Sequence, residues 1–93
     1  MDKLELFNGL ISVISPVNSM EAKADSLDQP LNETGLDSLD LLMMGIYLSD
    51  IYGVEEEVAK VMQPVTVADM FAFMEVHKTK EPTNVQDALD SVK

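Results

Sequence analysis

The sequence predicts an all-α fold: a small four-helix bundle with a long first loop and a short third helix, leaving room for one more short helix at the C-terminus. Three observations point there. Apolar residues recur at spacings of three and four, and no alternating strand pattern competes with them. Aromatic residues make up only 5% and Trp is absent, so aliphatic and Met side chains must fill the interior. The chain has 93 residues, enough for one compact domain and too few for two. A hydrophobic content of 46% sets it apart from disordered chains.

The first helix is expected from roughly Lys3 to Ser15. Asp2 is placed as its N-cap, with Glu5 three residues on as capping-box partner. Leu4, Phe7, Leu10, Ile11 and Ile14 then repeat at helical spacing, and Pro16 stops the helix. Residues 16 to 36 are polar and irregular, broken by Pro16, Pro30 and Gly35. Within them Ser19 to Ala24 suits a short helical turn, and Leu27 and Leu31 are spaced to pin the segment to a core. A loop of that length in a small domain has to have a job.

The second helix is expected from near Asp37-Ser38 to about Tyr52, with Gly53 as its stop. A short third helix fits Glu55 to Met62. Glu55, Glu56 and Glu57 lie at its positive end and Lys60 near its negative end, and Gln63-Pro64 closes it. Thr66 caps the fourth helix, Asp69 takes the capping-box position, and Val65 is placed to staple onto Met70. Val67, Met70, Phe71 and Met74 form its predicted buried stripe. Beyond Lys80-Glu81-Pro82, Asn84 can cap a last short helix with Val85, Leu89 and Val92 along one side. Residues 1–80 are read as the domain and 81–93 as a C-terminal extension.

Charge narrows the classes of partner. The net charge is −11, and nine of the seventeen acids fall between Asp25 and Glu57. No Lys lies between Lys23 and Lys60, and there is no Arg. Such a field repels nucleic acid and steers basic protein surfaces toward the middle of the chain. With no Cys there is no disulfide, no thiolate metal site and no thiol nucleophile of the chain's own. The apolar runs are too short to span a membrane, and Met1-Asp2-Lys3-Leu4-Glu5 carries acids where a signal peptide is basic. The expectation is a cytoplasmic monomer.

The second helix draws attention because it has two apolar sides. At about 100° per residue, Leu41, Met44, Gly45, Leu48 and Tyr52 cluster on one side as a core stripe. Leu39, Leu42, Met43 and Ile46 cluster on another, with Asp40 and Tyr47 on one boundary and Ser49 near the other. A small domain cannot easily bury both sides, so the second reads as a docking patch edged by Asp40 and Asp50.

That helix opens with Gly35-Leu36-Asp37-Ser38-Leu39-Asp40, which resembles the phosphopantetheine attachment motif of acyl carrier proteins. The resemblance runs from the first helix through the fourth and includes the long first loop, the short third helix and the Thr66-Val67 opening of the fourth. It implies that Ser38 takes 4'-phosphopantetheine from coenzyme A, attached by a separate phosphopantetheinyl transferase with Mg²⁺. The arm then supplies the sulfur the chain lacks and carries acyl groups as thioesters in fatty-acid, polyketide or specialised lipid synthesis. By the same resemblance Asp37, Leu39 and Asp40 belong to the transferase-docking motif. Leu42, Met43, Ile46 and Asp50 would meet acyl-loading, condensing and acyl-transfer enzymes with basic surfaces. Met44, Leu48, Met62, Met70 and Met74 are the candidates for an acyl pocket, since thioether side chains repack easily. The chain itself would be non-catalytic and hold no specific metal.

The chain departs from the family pattern where Met43, Ser49 and Ile51 stand in place of Glu on the exposed side, which implies a carrier dedicated to a specialised pathway. Other readings fit less well. Peptidyl carriers normally have Gly-Gly before the motif's His or Asp, absent here. A serine hydrolase would need a G-x-S-x-G elbow, and the only His is His77, read as solvent-facing. The acids do not match a calcium-binding loop, and an acidic helical adaptor without a prosthetic group remains as the other class. Self-repulsion among the acids destabilises the fold at low ionic strength. Mg²⁺ or Ca²⁺ is therefore expected to raise the melting temperature there, and a flat response in a thermal melt counts against this electrostatic reading.

Overall fold

The computed structural model describes residues 2–14 and 22–92. Among the described residues five helices follow in order: α1, Lys3–Ile14; α2, Ser38–Tyr52; α3, Glu56–Ala59; α4, Val67–His77; and α5, Val85–Val92. A single 3₁₀ turn, Leu31–Glu33, precedes α2, and no β-strand occurs among the described residues. The fold is thus an all-α bundle. Ser15, Pro16 and Ser19 to Glu21, which bear on the expected end of α1 and the helical turn after it, lie outside the described residues. Ala22 to Ala24 are irregular, with Ala22 and Ala24 buried.

The apolar stripes converge on one core. α1 buries Leu6, Phe7, Leu10 and Ile11, α2 buries Met44, Leu48, Ile51 and Tyr52, and α4 buries Val67, Met70, Phe71 and Met74. Each fully buried side chain of this size contributes about 1.5–3 kcal/mol over its exposed state. Tyr52 and Phe71 meet edge to face with ring centroids 6.5 Å apart. Burial, reinforced by the nearby Glu75 and Glu81 carboxylates, pushes the Tyr52 hydroxyl up to about 12, so it stays neutral.

The long loop before α2 supplies backbone partners that the helices lack. Asn8 on α1 holds Ala24 by both backbone groups, accepting its N–H at 2.9 Å and donating to its carbonyl at 3.0 Å. Further along, the N–H groups of Val67 and Ala68, unpaired within α4 because they open it, donate to Gln29 and Leu27 carbonyls at 3.1 and 2.7 Å. Leu31 N–H donates to Val65 O at 2.8 Å, and Leu31 itself is buried. The segment therefore lies against the start of α4, which is the job its length serves.

One sequence expectation is corrected. α3 is shorter than Glu55 to Met62 because the bonds beyond it tighten to i+3, with Val61 and Met62 N–H donating to Val58 and Ala59 O at 3.3 and 3.1 Å. The residue before Pro64 is also biased out of the helical region. Within the C-terminal extension, where the sequence left room for a short helix, Val85–Val92 form α5, which packs against α1 and α2. Ala88 is buried, and Leu89 fills the space at Gly9, where a Cβ would come within 2.8 Å of its Cδ1. Asn84 caps α5, accepting from Asp87 N–H at 2.8 Å, as its position implied. The connection is anchored where Thr79 and Lys80 N–H donate to Tyr52 O at 2.9 and 3.1 Å. Gly53 ends α2 with φ 66°, a conformation that disfavours a side chain, and Thr79 and Lys80 occupy the space where one would stand.

α4 starts as its sequence implied. Thr66 accepts from Asp69 N–H at 3.1 Å, and the Asp69 carboxylate accepts from Thr66 and Val65 N–H at 3.1 Å each. Those backbone donors, Thr66 first, hold the Asp69 carboxyl below its ordinary pKa. A lowered folded-state pKa means the stabilisation is complete above the unfolded pKa and is lost as the pH falls through the folded one. Asp69→Asn is expected to melt earlier than the parent near neutral pH, with the difference closing in acid below the usual Asp range. Melts with a pH-independent difference would rule out the charge as its source.

Candidate functional site

The sharpest feature around Ser38 is how little its own side chain does for the fold. Leu36 is buried and anchors the chain just ahead of α2, after Gly35 turns it with φ 88°. Asp37 is the N-cap: its carboxylate accepts from Asp40 N–H at 2.8 Å, while Asp40 accepts from Asp37 N–H at 3.4 Å. The acids on either side thus perform the capping. Ser38, the first residue of the helix, is exposed with its hydroxyl free of that task.

Ser38 also stands on the edge of a groove of about 880 Å³. One wall is α2, with Leu41, Leu42, Gly45, Ile46, Ser49 and Asp50. Facing it are Glu56, Ala59, Lys60, Met62, Pro64 and Val65, with Leu31, Val54 and Met70 among the remaining lining residues. Twelve residues separate Ser38 from Asp50, so the α2 wall runs about 18 Å at 1.5 Å per residue. No charged or polar donor intrudes from Ser49, whose hydroxyl donates back to Gly45 O at 2.7 Å.

The expected pocket residues divide. Met62 and Met70 line the groove. Met44, Leu48 and Met74 are fully buried in the core and do not reach it. The expected docking residues Leu39, Leu42 and Ile46 are exposed by 65%, 60% and 41%, Asp50 is exposed, and Met43 is half-buried. Asp40 and Tyr47 sit at the boundary, half-buried, as the helical wheel placed them.

Ser49 and Ile51 correct the sequence reading. Both are buried, not on the exposed side. α2 is contacted by α1, α3, α4 and α5, and four neighbours cover more of its circumference than the wheel allowed for. The absence of Glu at these two positions follows from burial, and of the three only Met43 stays partly exposed. Val65 is likewise 67% exposed on the groove rim, not tucked under a staple. His77 is exposed and leans on Phe73, with ring centroids 4.6 Å apart.

Gly45, Leu31 and Val65 are groove residues that the sequence did not single out as such. Gly45 carried the signal: glycine inside a helix costs about 0.5–1 kcal/mol relative to Ala and needs a reason. A Cβ there would stand 3.4 Å from Met62 Cε, on the groove wall, so the missing methyl deepens the groove. Among the described residues no three acidic or His side chains come together in a way that could hold a metal ion. No family model, curated protein or solved structure matches this chain. Because 3.4 Å is an ordinary contact, Gly45→Ala is expected to raise stability by about 0.5–1 kcal/mol in urea unfolding while making the groove shallower. A loss of stability would mean that the backbone, not the open groove, demands glycine there.

Proposed function

We propose that the chain is a non-catalytic acyl carrier, with Ser38 the attachment point for 4'-phosphopantetheine. The observation that carries this reading is an exposed, first-turn serine in a motif-like segment at the edge of an apolar groove. An outside transferase supplies the base and the metal, so the serine needs only to be reachable. Its hydroxyl oxygen bonds to the phosphorus of coenzyme A that carries the pantetheine, and the nucleotide portion leaves. The bound arm supplies the thiol on which an acyl group is held as a thioester.

The residues around Ser38 suit that group in three respects. Capping by Asp37 and Asp40 keeps the helix start ordered while the serine side chain stays outward. The outer face of Leu39, Leu42 and Ile46 offers the transferase and later enzymes an apolar contact beside acids. Leu41, Gly45, Met62 and Met70 give the groove an aliphatic lining for an acyl tail. With Met43 partly exposed on α2, the proposed partners are the basic enzymes of a dedicated lipid or polyketide pathway. A second reading, an adaptor with no prosthetic group, is favoured only by the exposed apolar rims.

Intact-mass spectrometry separates the two. Incubation with a phosphopantetheinyl transferase, Mg²⁺ and coenzyme A is expected to add one arm to the parent chain and none to Ser38→Ala. A parent chain that stays unmodified, or an alanine variant that still gains the arm, overturns the carrier assignment.

A further inference from the structure

At the end of α2 away from Ser38 lies a second cleft, of about 530 Å³, that the carrier reading does not use. Fourteen residues separate Ser38 from Tyr52, which puts this cleft about 21 Å along α2 from the attachment serine. It is lined by Lys3 at the start of α1, Tyr52, Glu75 on α4, and Glu81, Pro82 and Thr83 in the connection to α5. Tyr52 is completely buried and forms the floor. Its hydroxyl has no hydrogen-bond partner among the described residues. A buried hydroxyl left unpaired bears the full cost of its lost hydration, so one that borders a cleft gains from a partner brought in from outside the chain.

The charged groups around the cleft decide the kind of partner. Lys78 is committed, with its ammonium 2.8 Å from one carboxylate oxygen of Glu75 and 2.8 Å from one of Glu81. Lys3 reaches the other Glu75 oxygen only at 3.6 Å, beyond hydrogen-bond distance. Burial first, then Glu75 and Glu81, push the Tyr52 hydroxyl up to about 12, and Lys78 opposes them with less effect. The field at the floor is therefore negative. We propose that this cleft binds a primary aliphatic ammonium ion, which donates to the Tyr52 hydroxyl oxygen and to the Glu75 and Glu81 carboxylates and lays its stem against Pro82. Three N–H donors on one nitrogen match three acceptors set on α2, α4 and the connection to α5. The loosely held Lys3 ammonium is the group it displaces. An anion in the same cleft would have to lie beside both carboxylates. A bare metal ion is poorly served, since among the described residues no three acidic or His side chains gather to hold one. Neither Ser38 nor the groove takes part, so amine binding and arm attachment can fail separately.

The probe is butylammonium, titrated at physiological ionic strength into the full ¹⁵N-labelled chain and followed by amide chemical shifts. Saturable shifts are expected at Thr79, Lys80, Glu81 and Thr83, and not at Leu42 or Gly45 in the groove. Tyr52→Phe removes only the hydroxyl and Glu75→Gln only a charge, and each should weaken binding about tenfold. Glu56→Gln takes the same charge from the groove side and should change binding less than about twofold. Tetramethylammonium, a cation without an N–H, should give no saturable shift at the cleft. In amine-free buffer Tyr52→Phe is expected to melt no earlier than the parent, because its hydroxyl has no partner to lose. That melt also checks that the variant folds, so the hydroxyl test stands even where Glu75→Gln weakens the fold. Butylammonium binding that Tyr52→Phe leaves unchanged, or equal binding of tetramethylammonium, overturns the inference. So does an earlier melt of Tyr52→Phe, or the absence of saturable shifts that a cleft holding only water would give. The mass assay reads Ser38 and is blind to this cleft, so a chain that takes no arm can still bind the amine.

Discussion

α2 carries apolar residues on two sides, and a domain of this size can bury only one of them completely. Small domains bury a smaller fraction of the surface their chains expose, so every core position on α2 is taken at the expense of another. Met44, Leu48 and Tyr52 take the inner side and are completely buried, while Leu39, Leu42 and Ile46 are left facing out. All four other helices touch α2, which makes it the element around which the rest is arranged. The groove is what remains where α3 and its connection to α4 approach the outer half of α2 without closing on it. Glycine at position 45 keeps that approach shallow enough to leave space.

The accessibility of Ser38 is a consequence of how the preceding segment is tied down. Backbone groups of Leu27, Gln29 and Leu31 pair with the start of α4 and with Val65, and Asn8 fastens Ala24 to α1. Thr34, buried, donates its hydroxyl to Leu31 O at 2.6 Å and closes the 3₁₀ turn. Leu36 then reaches the core, and only two residues later the chain enters α2. With both anchors in place, the first turn of α2 emerges at the surface in a set direction. Since Asp37 and Asp40 satisfy the orphan backbone groups there, a side chain at position 38 is spared for other chemistry.

The two ends of the molecule differ in how firmly they are held. α1 and α5 contribute nothing to the groove and pack on each other and on α2, with Leu89 set against Gly9 and Thr79 joined to Gly53 O. On the groove side, α3 is four residues long and buries none of them. Local opening costs least where few apolar contacts and few buried hydrogen bonds must be broken.

Local rules in the chain were enough to determine the helices and their caps. Thr66 and Asn84 as caps, Gly53 as a left-handed stop, and the stripes of α1 and α4 all follow from interactions within a few residues. Those interactions are short-range, so their residues are legible in order. What only the tertiary structure decided is which sides of α2 are covered. Ser49 and Ile51 are buried because α2 has neighbours on more sides than its own periodicity reveals, and α5 became part of the core because Gly9 leaves room for Leu89. Likewise Met44 and Met74 are enclosed by the core while Met70, also buried, and the half-buried Met62 reach the groove, although the four share one side-chain chemistry. Burial depends on residues distant in sequence, and a helix's own pattern holds no record of how many others will pack against it.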